Sequence, residues 1–226
     1  MQQSEKMDAA SHGGASVSSN DRVTEQSEAH GVYHAVCIGP VESFRERYVE
    51  LRDALVGGLA DAKEAFLEFM SIPMELKFED TFDNIVTTVG KNLALDTFLA
   101  GSAYTVTGPY MGLINTNAAS AAVGDTMASH AAWLEVGGTN APTYTGPRKT
   151  AAWSAAASGS KALSSALSFA ITGSGTVGGC FLVFGSGALS TIDNTAGTLY
   201  SAGAFTGGSK TVANGDTLNV SYTASL

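Results

Sequence analysis

The chain has 226 residues and a mass of 23.1 kDa, enough for one large or two small domains with a hydrophobic core. Hydrophobic residues make up 44% of it, which excludes a wholly disordered chain. The longest apolar stretches, such as residues 178–188, are about half of the roughly 20 residues that a membrane-spanning helix needs. Composition therefore favours a globular protein.

The charges are distributed unevenly along the chain. All of the net charge of −9 lies in residues 1–90, whereas residues 91–226 carry five basic and five acidic residues. Neither part has the basic surface that phosphate binding requires, so we expect no direct contact with nucleic acid. The contrast between the two parts indicates different roles.

The N-terminal segment is polar, rich in Ser, Glu, Gln and Asp, with few large apolar residues. It predicts a flexible or extended polar arm over residues 1–40, which either stays disordered or becomes ordered on a partner. The first 30 residues have no apolar core, so they do not form a secretory signal. We expect the protein to remain in the cytosol or to leave it by lysis.

Residues 41–73 predict an amphipathic helix. Large apolar residues recur there at intervals of three or four between Phe44 and Phe69, and charged residues cover the rest of the circumference. Pro40 and Pro73 flank the segment, and Gly57 and Gly58 weaken it in the middle, where it could divide into two shorter pieces. The apolar stripe packs either on the same domain or on another subunit.

Residues 74–226 predict a β-sandwich domain, jelly-roll-like and antiparallel, so the fold class is mainly β. A short helix is expected over residues 93–99, and a turn over residues 213–216. Some eight short strands are expected, punctuated by Gly, Ser, Asn and Asp. They include residues 110–114, 133–136, 150–155, 167–171, 180–184, 198–205 and 218–222. This domain is expected to fold without residues 1–73.

No catalytic constellation stands out. Asp125, Ser129 and His130 invite comparison with a triad, but adjacent strand residues point to opposite faces, so we expect a turn or strand-edge histidine. Ser158 to Lys161 matches S-x-x-K without the partner motifs, and a polar hairpin turn explains it better. The sequence predicts no enzyme and no catalytic residue.

Binding motifs are equally weak. The glycine-rich residues 173–179 lack the ending of a phosphate-binding loop and are expected to form a turn between strands. Glu75, Glu79, Asp80 and Asp83 lack calcium-loop spacing and predict a solvated acidic face. Residues 219–221 match a glycosylation acceptor by letters only. We expect no cofactor and no metal.

Five aromatic residues recur near the predicted turns, and two cysteines lie 143 residues apart. The aromatic rings suit either core and edge packing or a sugar-binding platform; they are Tyr104, Tyr110, Trp133, Tyr144 and Trp153.

Cys37 and Cys180 are expected to be free thiols, not bonded to each other, as in a reducing compartment.

Five segments resemble a group of small structural proteins from tailed bacteriophages. They are residues 84–104, 110–114, 124–133, 197–205 and 213–223, so the resemblance covers about residues 74–226. It implies a non-enzymatic virion protein, foremost a capsid decoration (cement) protein with a jelly-roll-like fold. A tail or head–tail junction protein is the close alternative, and the aromatic residues leave a virion carbohydrate-binding adhesin as a further one.

The resemblance also implies partners and a location. The expected partner is the major capsid protein, or a tail or neck protein, with a homo-oligomer likewise expected and no membrane involved. The protein would then lie in the virion, assembled in the host cytoplasm. Residues 1–73 depart from the pattern, and no functional site residues come with the family.

Overall fold

The computed structural model describes residues 29–41, 74–99 and 107–225. Residues 1–28 of the predicted arm, and all but the first residue of the predicted helix over 41–73, lie outside the described residues. Within the described ranges the chain is mainly β, with fourteen strands, one α-helix and a short 3₁₀ turn, Ala118–Ser120. The helix, α1, is Thr88–Leu99.

The strands, in chain order, are β1 His30–Pro40, β2 Met74–Asp83, β3 Ile85–Val86, β4 Tyr110–Ile114, β5 Glu135–Val136, β6 Thr143–Tyr144, β7 Lys149–Thr150, β8 Ser160–Ala162, β9 Leu167–Gly173, β10 Gly175–Val177, β11 Gly179–Phe184, β12 Thr198–Ala204, β13 Lys210–Val212 and β14 Thr217–Ser225. The predicted strands over 110–114, 167–171, 180–184, 198–205 and 218–222 are confirmed with small changes at their ends. The strand predicted over 133–136 shortens to β5. The strand predicted over 150–155 is wrong beyond Thr150, since β7 is Lys149–Thr150 and Trp153 makes an isolated bridge to Leu163.

Two six-stranded antiparallel sheets form the body of the protein. The first has the order β2-β1-β14-β9-β6, with β8 also paired to β14. The second has the order β3-β12-β11-β4-β5, with β7 also paired to β4. β10 and β13 make a separate two-stranded ribbon. The sheets do not close into a barrel.

The core lies between the two sheets because their strands alternate buried and exposed side chains. In β9, Leu167, Phe169 and Ile171 are buried and the residues between them are exposed. β14 repeats this period of two with Leu218, Val220 and Tyr222, as the sequence predicts. These side chains join one apolar cluster with residues of β4 and β11, so the two sheets share a sandwich-like core.

β11 is buried on both faces, as its continuous apolar sequence predicts. Cys180 and Leu182 contribute to the cluster between the sheets. Phe181 and Val183 join a second cluster that includes Trp133. The outer face of the second sheet is therefore covered as well, by side chains of the residues that connect β4 to β5.

β1 corrects the predicted organisation of the N-terminal part. Residues 30–40, predicted as part of a flexible arm, pair with β14 on one side and with β2 on the other. The side chains of Tyr33, Ala35 and Cys37 are fully buried. Within the described residues the β unit therefore includes His30–Pro40, a strand of the first sheet that the boundary predicted at residue 74 would leave out.

α1 contains the helix predicted over residues 93–99 but begins five residues earlier. The Gly90 amide donates to the hydroxyl oxygen of Thr87 at 3.0 Å, which satisfies one of the free amides of the first turn. Leu93 is buried, and Gly90 lies against the backbone of Tyr200 in β12. Only Gly allows the helix to approach β12 this closely.

The predicted turn over residues 213–216 is confirmed between β13 and β14. The Asp216 amide donates to the Ala213 carbonyl at 3.0 Å, and the Asp216 carboxylate accepts from the Ala213 amide at 2.8 Å. Gly215 has φ +95°, a backbone conformation that favours glycine.

Candidate functional site

The most distinctive polar feature in the described part of the chain is a buried ion pair between Glu135 and Arg148. Arg148 Nε donates to Glu135 Oε1 at 2.8 Å, and Arg148 Nη2 donates to Glu135 Oε2 at 2.7 Å. The Arg148 side chain is fully buried and that of Glu135 is 4% exposed. This bidentate arrangement is the strongest form of a charge-assisted hydrogen bond in proteins.

Two short strands bring these side chains together. Glu135 begins β5 and Arg148 immediately precedes β7, and both strands pair with β4. Gly112, in the middle of β4, leaves the necessary room. A Cβ on Gly112 would lie 2.4 Å from the Phe181 ring and 2.9 Å from Glu135 Oε1. The Arg148 guanidinium lies over the same Phe181 ring, 5.3 Å from its centroid.

The remaining donors of Arg148 hold the connection between β11 and β12, residues 185–197. Nη1 donates to the Leu189 carbonyl at 3.0 Å and Nη2 to the Asn194 carbonyl at 2.6 Å. The Arg148 amide donates to the Ser190 carbonyl at 2.8 Å. One buried side chain thus satisfies carbonyls at both ends of residues 189–194.

Glu135 fixes the same connection from the other side. Its Oε2 accepts a hydrogen bond from the Asp193 amide at 2.8 Å, and Asp193 has φ +62°. The Asp193 carboxylate accepts from the amide and the hydroxyl of Thr139, both at 3.2 Å. Asn140 Nδ2 donates to the Glu135 carbonyl at 2.9 Å. Residues 137–140 are therefore linked to residues 189–194 through Asp193 and to Glu135 through its backbone carbonyl.

This arrangement of charges and hydrogen bonds suits a structural role and not a catalytic one. Each charge is neutralised by the other, and the guanidinium donates four hydrogen bonds to protein acceptors. Burial of both groups keeps water and substrates from the pair. The arrangement can hold two surface loops in one conformation, and it presents neither an accessible base nor an accessible nucleophile.

The triad-like residues do not come together as a triad. The Asp125 carboxylate accepts from Trp133 Nε1 at 2.8 Å and from the Ala122 amide at 3.0 Å. His130 stacks on the Trp133 ring at 3.9 Å, and its Nδ1 is hydrogen-bonded to the Trp133 carbonyl. Asp125 and His130 thus both serve to position Trp133, which is fully buried.

The S-x-x-K motif is a hairpin turn, as predicted. Ser158 and Gly159 have φ +50° and +73°, and Ala157 and Ser160 exchange backbone hydrogen bonds at 2.9 Å. Positive φ at both central residues is typical of a two-residue hairpin. Lys161 Nζ donates to the Ser154 carbonyl at 3.0 Å rather than to a serine hydroxyl.

The glycine-rich segment differs from its prediction, since residues 175–177 form β10 rather than part of a turn. Two of its glycines serve close backbone packing. A Cβ on Gly178 would lie 2.1 Å from the Asn115 carbonyl oxygen, and one on Gly179 would lie 1.9 Å from that of Gly203. These glycines allow neighbouring backbone segments of the chain to pack closely, and this packing explains their presence without a phosphate-binding role.

The predicted acidic face is only partly solvated. On β2, Glu75 lies 2.6 Å from Lys77 Nζ, and Glu79 lies 2.9 Å from His34 Nε2. Asp80 points to the opposite face, is 8% exposed and lies 3.3 Å from Lys210 Nζ. Alternation along the strand separates Asp80 from Glu79, whereas Asp83 shares the exposed face with Glu79 and lies 4.0 Å from His30 Nδ1. Across the described ranges, no group of three or more His, Cys, Asp or Glu residues could hold a metal ion.

The aromatic residues favour packing over a sugar platform. Trp133 and Tyr144 are buried, and Trp153 packs against the core cluster and contacts the Tyr222 ring edge-on. Tyr110 packs against the second cluster, and Tyr104 lies outside the described residues. Cys37 and Cys180 are free, as predicted, and both are buried.

Sequence analysis missed Glu135 and Arg148. The sequence feature that could have identified them is the rarity of charged residues around them, because residues 91–226 carry only ten. Glu135 also stands alone within the apolar run Trp133-Leu-Glu-Val136. A charge in such a run is a candidate for burial with a partner, but the sequence does not say which partner.

Comparison with known proteins finds no matching family model, no matching curated protein and no matching solved structure. A search for membrane spans among the described helical residues also finds none of sufficient length and apolarity.

Proposed function

We propose that this chain is a non-enzymatic structural protein of a tailed-bacteriophage virion, and that it decorates the capsid by bridging major capsid subunits. The observation that carries the proposal is the resemblance of five segments to such virion proteins. In this protein those segments supply scaffold elements, including β4, β12 and β14. A likeness in strands and turns fits a protein whose role is to pack rather than to catalyse.

The use of polar groups in the described residues supports a structural role. Glu135, Arg148, Asp125 and His130 are each engaged in fixing a loop or a buried ring. The sequence from residue 91 onward has no net charge, so copies would repel one another little on a dense lattice. A capsid provides many equivalent sites, and small contacts then add through avidity.

The jelly-roll-like arrangement is part of the same proposal. β1 and β14 are the first and last strands of the described chain, and they are antiparallel neighbours over nine residue pairs. Pairing of the first strand with the last is a feature that supports a jelly-roll relationship. Homo-oligomerisation on the capsid is likewise proposed, with the major capsid protein as partner.

Imaging and heat survival of phage particles test the proposal together. Particles made with an epitope-tagged copy of the chain should carry the label over the head, and particles lacking the gene should lose infectivity faster on heating. Label at the neck or tail would support the tail or head–tail junction alternative instead. Purified particles that contain none of the protein would overturn the virion role.

A further inference from the structure

We propose that Asn214 is a modification site that the fold protects: it deamidates when the turn between β13 and β14 opens, and the isoaspartate that results does not fit the native turn. Asn214 is the only asparagine in the chain that is followed by glycine. The inference does not depend on the virion role, because it concerns the chemistry of the chain itself.

Deamidation of asparagine needs only the backbone and water. The Gly215 nitrogen attacks Cγ of Asn214 and forms a new C–N bond, and the side-chain nitrogen leaves as ammonia with the proton of the Gly215 amide. Water then opens the cyclic imide at either carbonyl, which gives aspartate or isoaspartate. Because glycine has no side chain, the backbone at this position can reach the geometry for attack. The sequence therefore places the reaction at Asn214.

Lack of solvent access does not protect this site. Asn214 and Gly215 are both exposed, so water and a base can reach them. The surroundings are also open, since a Cβ on Gly215 would lie 3.6 Å from the nearest atom of Pro40, which is an ordinary contact distance. Protection in the folded chain must therefore come from the backbone and its hydrogen bonds.

Backbone hydrogen bonds hold the attacking nitrogen in place. The Gly215 amide donates to the Ile171 carbonyl at 3.0 Å, and the Ile171 amide donates to the Asp216 carbonyl at 2.8 Å. The Asn214 amide donates to Ser174 Oγ at 3.1 Å. The Gly215 nitrogen must give up its bond to β9 before it can lose its proton and turn toward Asn214 Cγ. The rate of deamidation then follows the population of the open turn.

The isoaspartate product does not fit this turn, because it adds a methylene to the main chain between Asn214 and Gly215. The turn is closed by the Asp216 amide on the Ala213 carbonyl at 3.0 Å and by the Asp216 carboxylate on the Ala213 amide at 2.8 Å. The carboxylate cannot follow a shift freely, since a Cβ on Gly39 would already lie 1.7 Å from its Oδ1. A longer turn therefore displaces the start of β14, the strand between β1 and β9.

The rates of deamidation in the folded and unfolded chain test the protection. The full chain is kept in one mildly alkaline buffer with and without guanidinium chloride, and a synthetic peptide of residues 210–219 is kept in the same buffer without it. Mass spectrometry of the proteolytic peptide follows conversion at Asn214. We expect the folded chain to react at least about tenfold more slowly than both references. A folded chain that reacts as fast as the peptide overturns the protection.

Refolding of the modified chain tests the effect of the product. After long incubation in guanidinium chloride with reductant, the chain is diluted into native buffer, and gel filtration separates folded protein from aggregate. Isoaspartate at position 214 should be enriched at least about fivefold in the aggregate. Aspartate at the same position is the internal control, because it has the same mass and charge with a normal main chain, and it should remain with the folded protein.

The Asn214→Gln variant separates this effect from other damage in the denaturant. Its longer side chain cyclises far more slowly, so its refolding yield should be the same after short and long incubation, whereas the yield of the wild type should fall. Equal isoaspartate content in the folded and aggregated fractions of the wild type overturns the claim that the product does not fit the turn.

Discussion

Arg148 reaches Glu135 with two parallel hydrogen bonds of 2.8 and 2.7 Å in an interior from which water is excluded. Burying two charges costs free energy that their attraction only partly offsets. The pair is therefore better understood by what else it holds, namely the carbonyls of Leu189 and Asn194 and the amide of Asp193. It ties residues 189–194 to the second sheet.

Removal of one partner should be far more damaging than removal of both. Arg148→Met leaves the Glu135 carboxylate buried and unpaired, and we expect the free energy of unfolding to fall by about 3–5 kcal/mol. Adding Glu135→Leu should recover part of this loss, while residues 189–194 remain more sensitive to protease. Urea denaturation measures the first effect and limited proteolysis the second.

A surface lysine provides the matched control for Arg148. Lys161 donates only to the Ser154 carbonyl at the surface, so Lys161→Met should change the free energy of unfolding by less than about 1 kcal/mol. If Arg148→Met lowers the free energy of unfolding by no more than Lys161→Met does, the role assigned to the buried pair is contradicted.

Truncation should distinguish the two candidate starting points of the β unit. A chain that begins at residue 29 keeps every described strand, and we expect it to fold. A chain that begins at residue 74 lacks β1, which leaves one edge of β14 unpaired and β2 without its neighbour in the sheet. We expect that chain to be unfolded or aggregated, as judged by circular dichroism and gel filtration.

The outcome that would contradict this expectation is a chain beginning at residue 74 that is monomeric and unfolds cooperatively. It would restore the boundary that the sequence suggested, and it would mean that the contacts of Tyr33 and Cys37 are dispensable. Addition of a synthetic peptide spanning residues 29–41 to the truncated chain gives a second measurement, since it should restore folding if β1 is the missing part.

Alkaline pH should destabilise the protein earlier than its ordinary ionisable groups suggest. Burial raises the pKa of Cys37 from its usual 9.0 to about 12, and burial raises the pKa of Cys180, Tyr33 and Tyr222 well above their usual values. In the unfolded chain these groups lose their protons near pH 9 to 10, whereas in the folded chain they keep them. The stability they contribute is present below pH 9 and is lost as the pH rises.

The urea midpoint should therefore be constant up to about pH 8.5 and fall by about pH 11, with each such group adding up to about 1.4 kcal/mol per pH unit. Cys37→Ala with Cys180→Ala should delay the onset toward pH 10, the usual value for tyrosine. A midpoint that does not change up to about pH 11 would show that these groups are not buried in solution.

Gly90 provides a test of how α1 is seated. A Cβ at this position would lie 2.4 Å from the Tyr200 carbonyl oxygen, so Gly90→Ala should push the helix away from β12. We expect a loss of about 1–3 kcal/mol, although alanine is the better helix former. Hydrogen exchange of the α1 amides should become faster in this variant.

Gly124→Ala is the control for this substitution, because a Cβ there meets nothing within 4 Å. It should change the free energy of unfolding by no more than about 0.5 kcal/mol. Equal stability of the Gly90→Ala variant and the wild type would mean that α1 does not lie against β12 in solution.

The sequence by itself determined the local structure of β9, of β11 and of the turn before β14. Leu167, Phe169 and Ile171 predict a strand with one buried face, because every second residue of a strand points to the same side. The apolar run from Cys180 to Phe184 predicts a strand covered on both faces, and the turn at Asn214-Gly215 follows from the backbone freedom of glycine. These features depend on neighbours along the chain, so a single sequence contains them.

Only the tertiary structure decided which distant residues meet. His30–Pro40 alternates as β9 does, but its polar surroundings concealed it, and its assignment depends on pairing with β14 at the other end of the chain. The partnership of Glu135 with Arg148 depends on two short strands aligned along β4. Strand pairing and ion pairing between distant segments are set by the packing of the whole core, because burial is what makes a particular partner necessary.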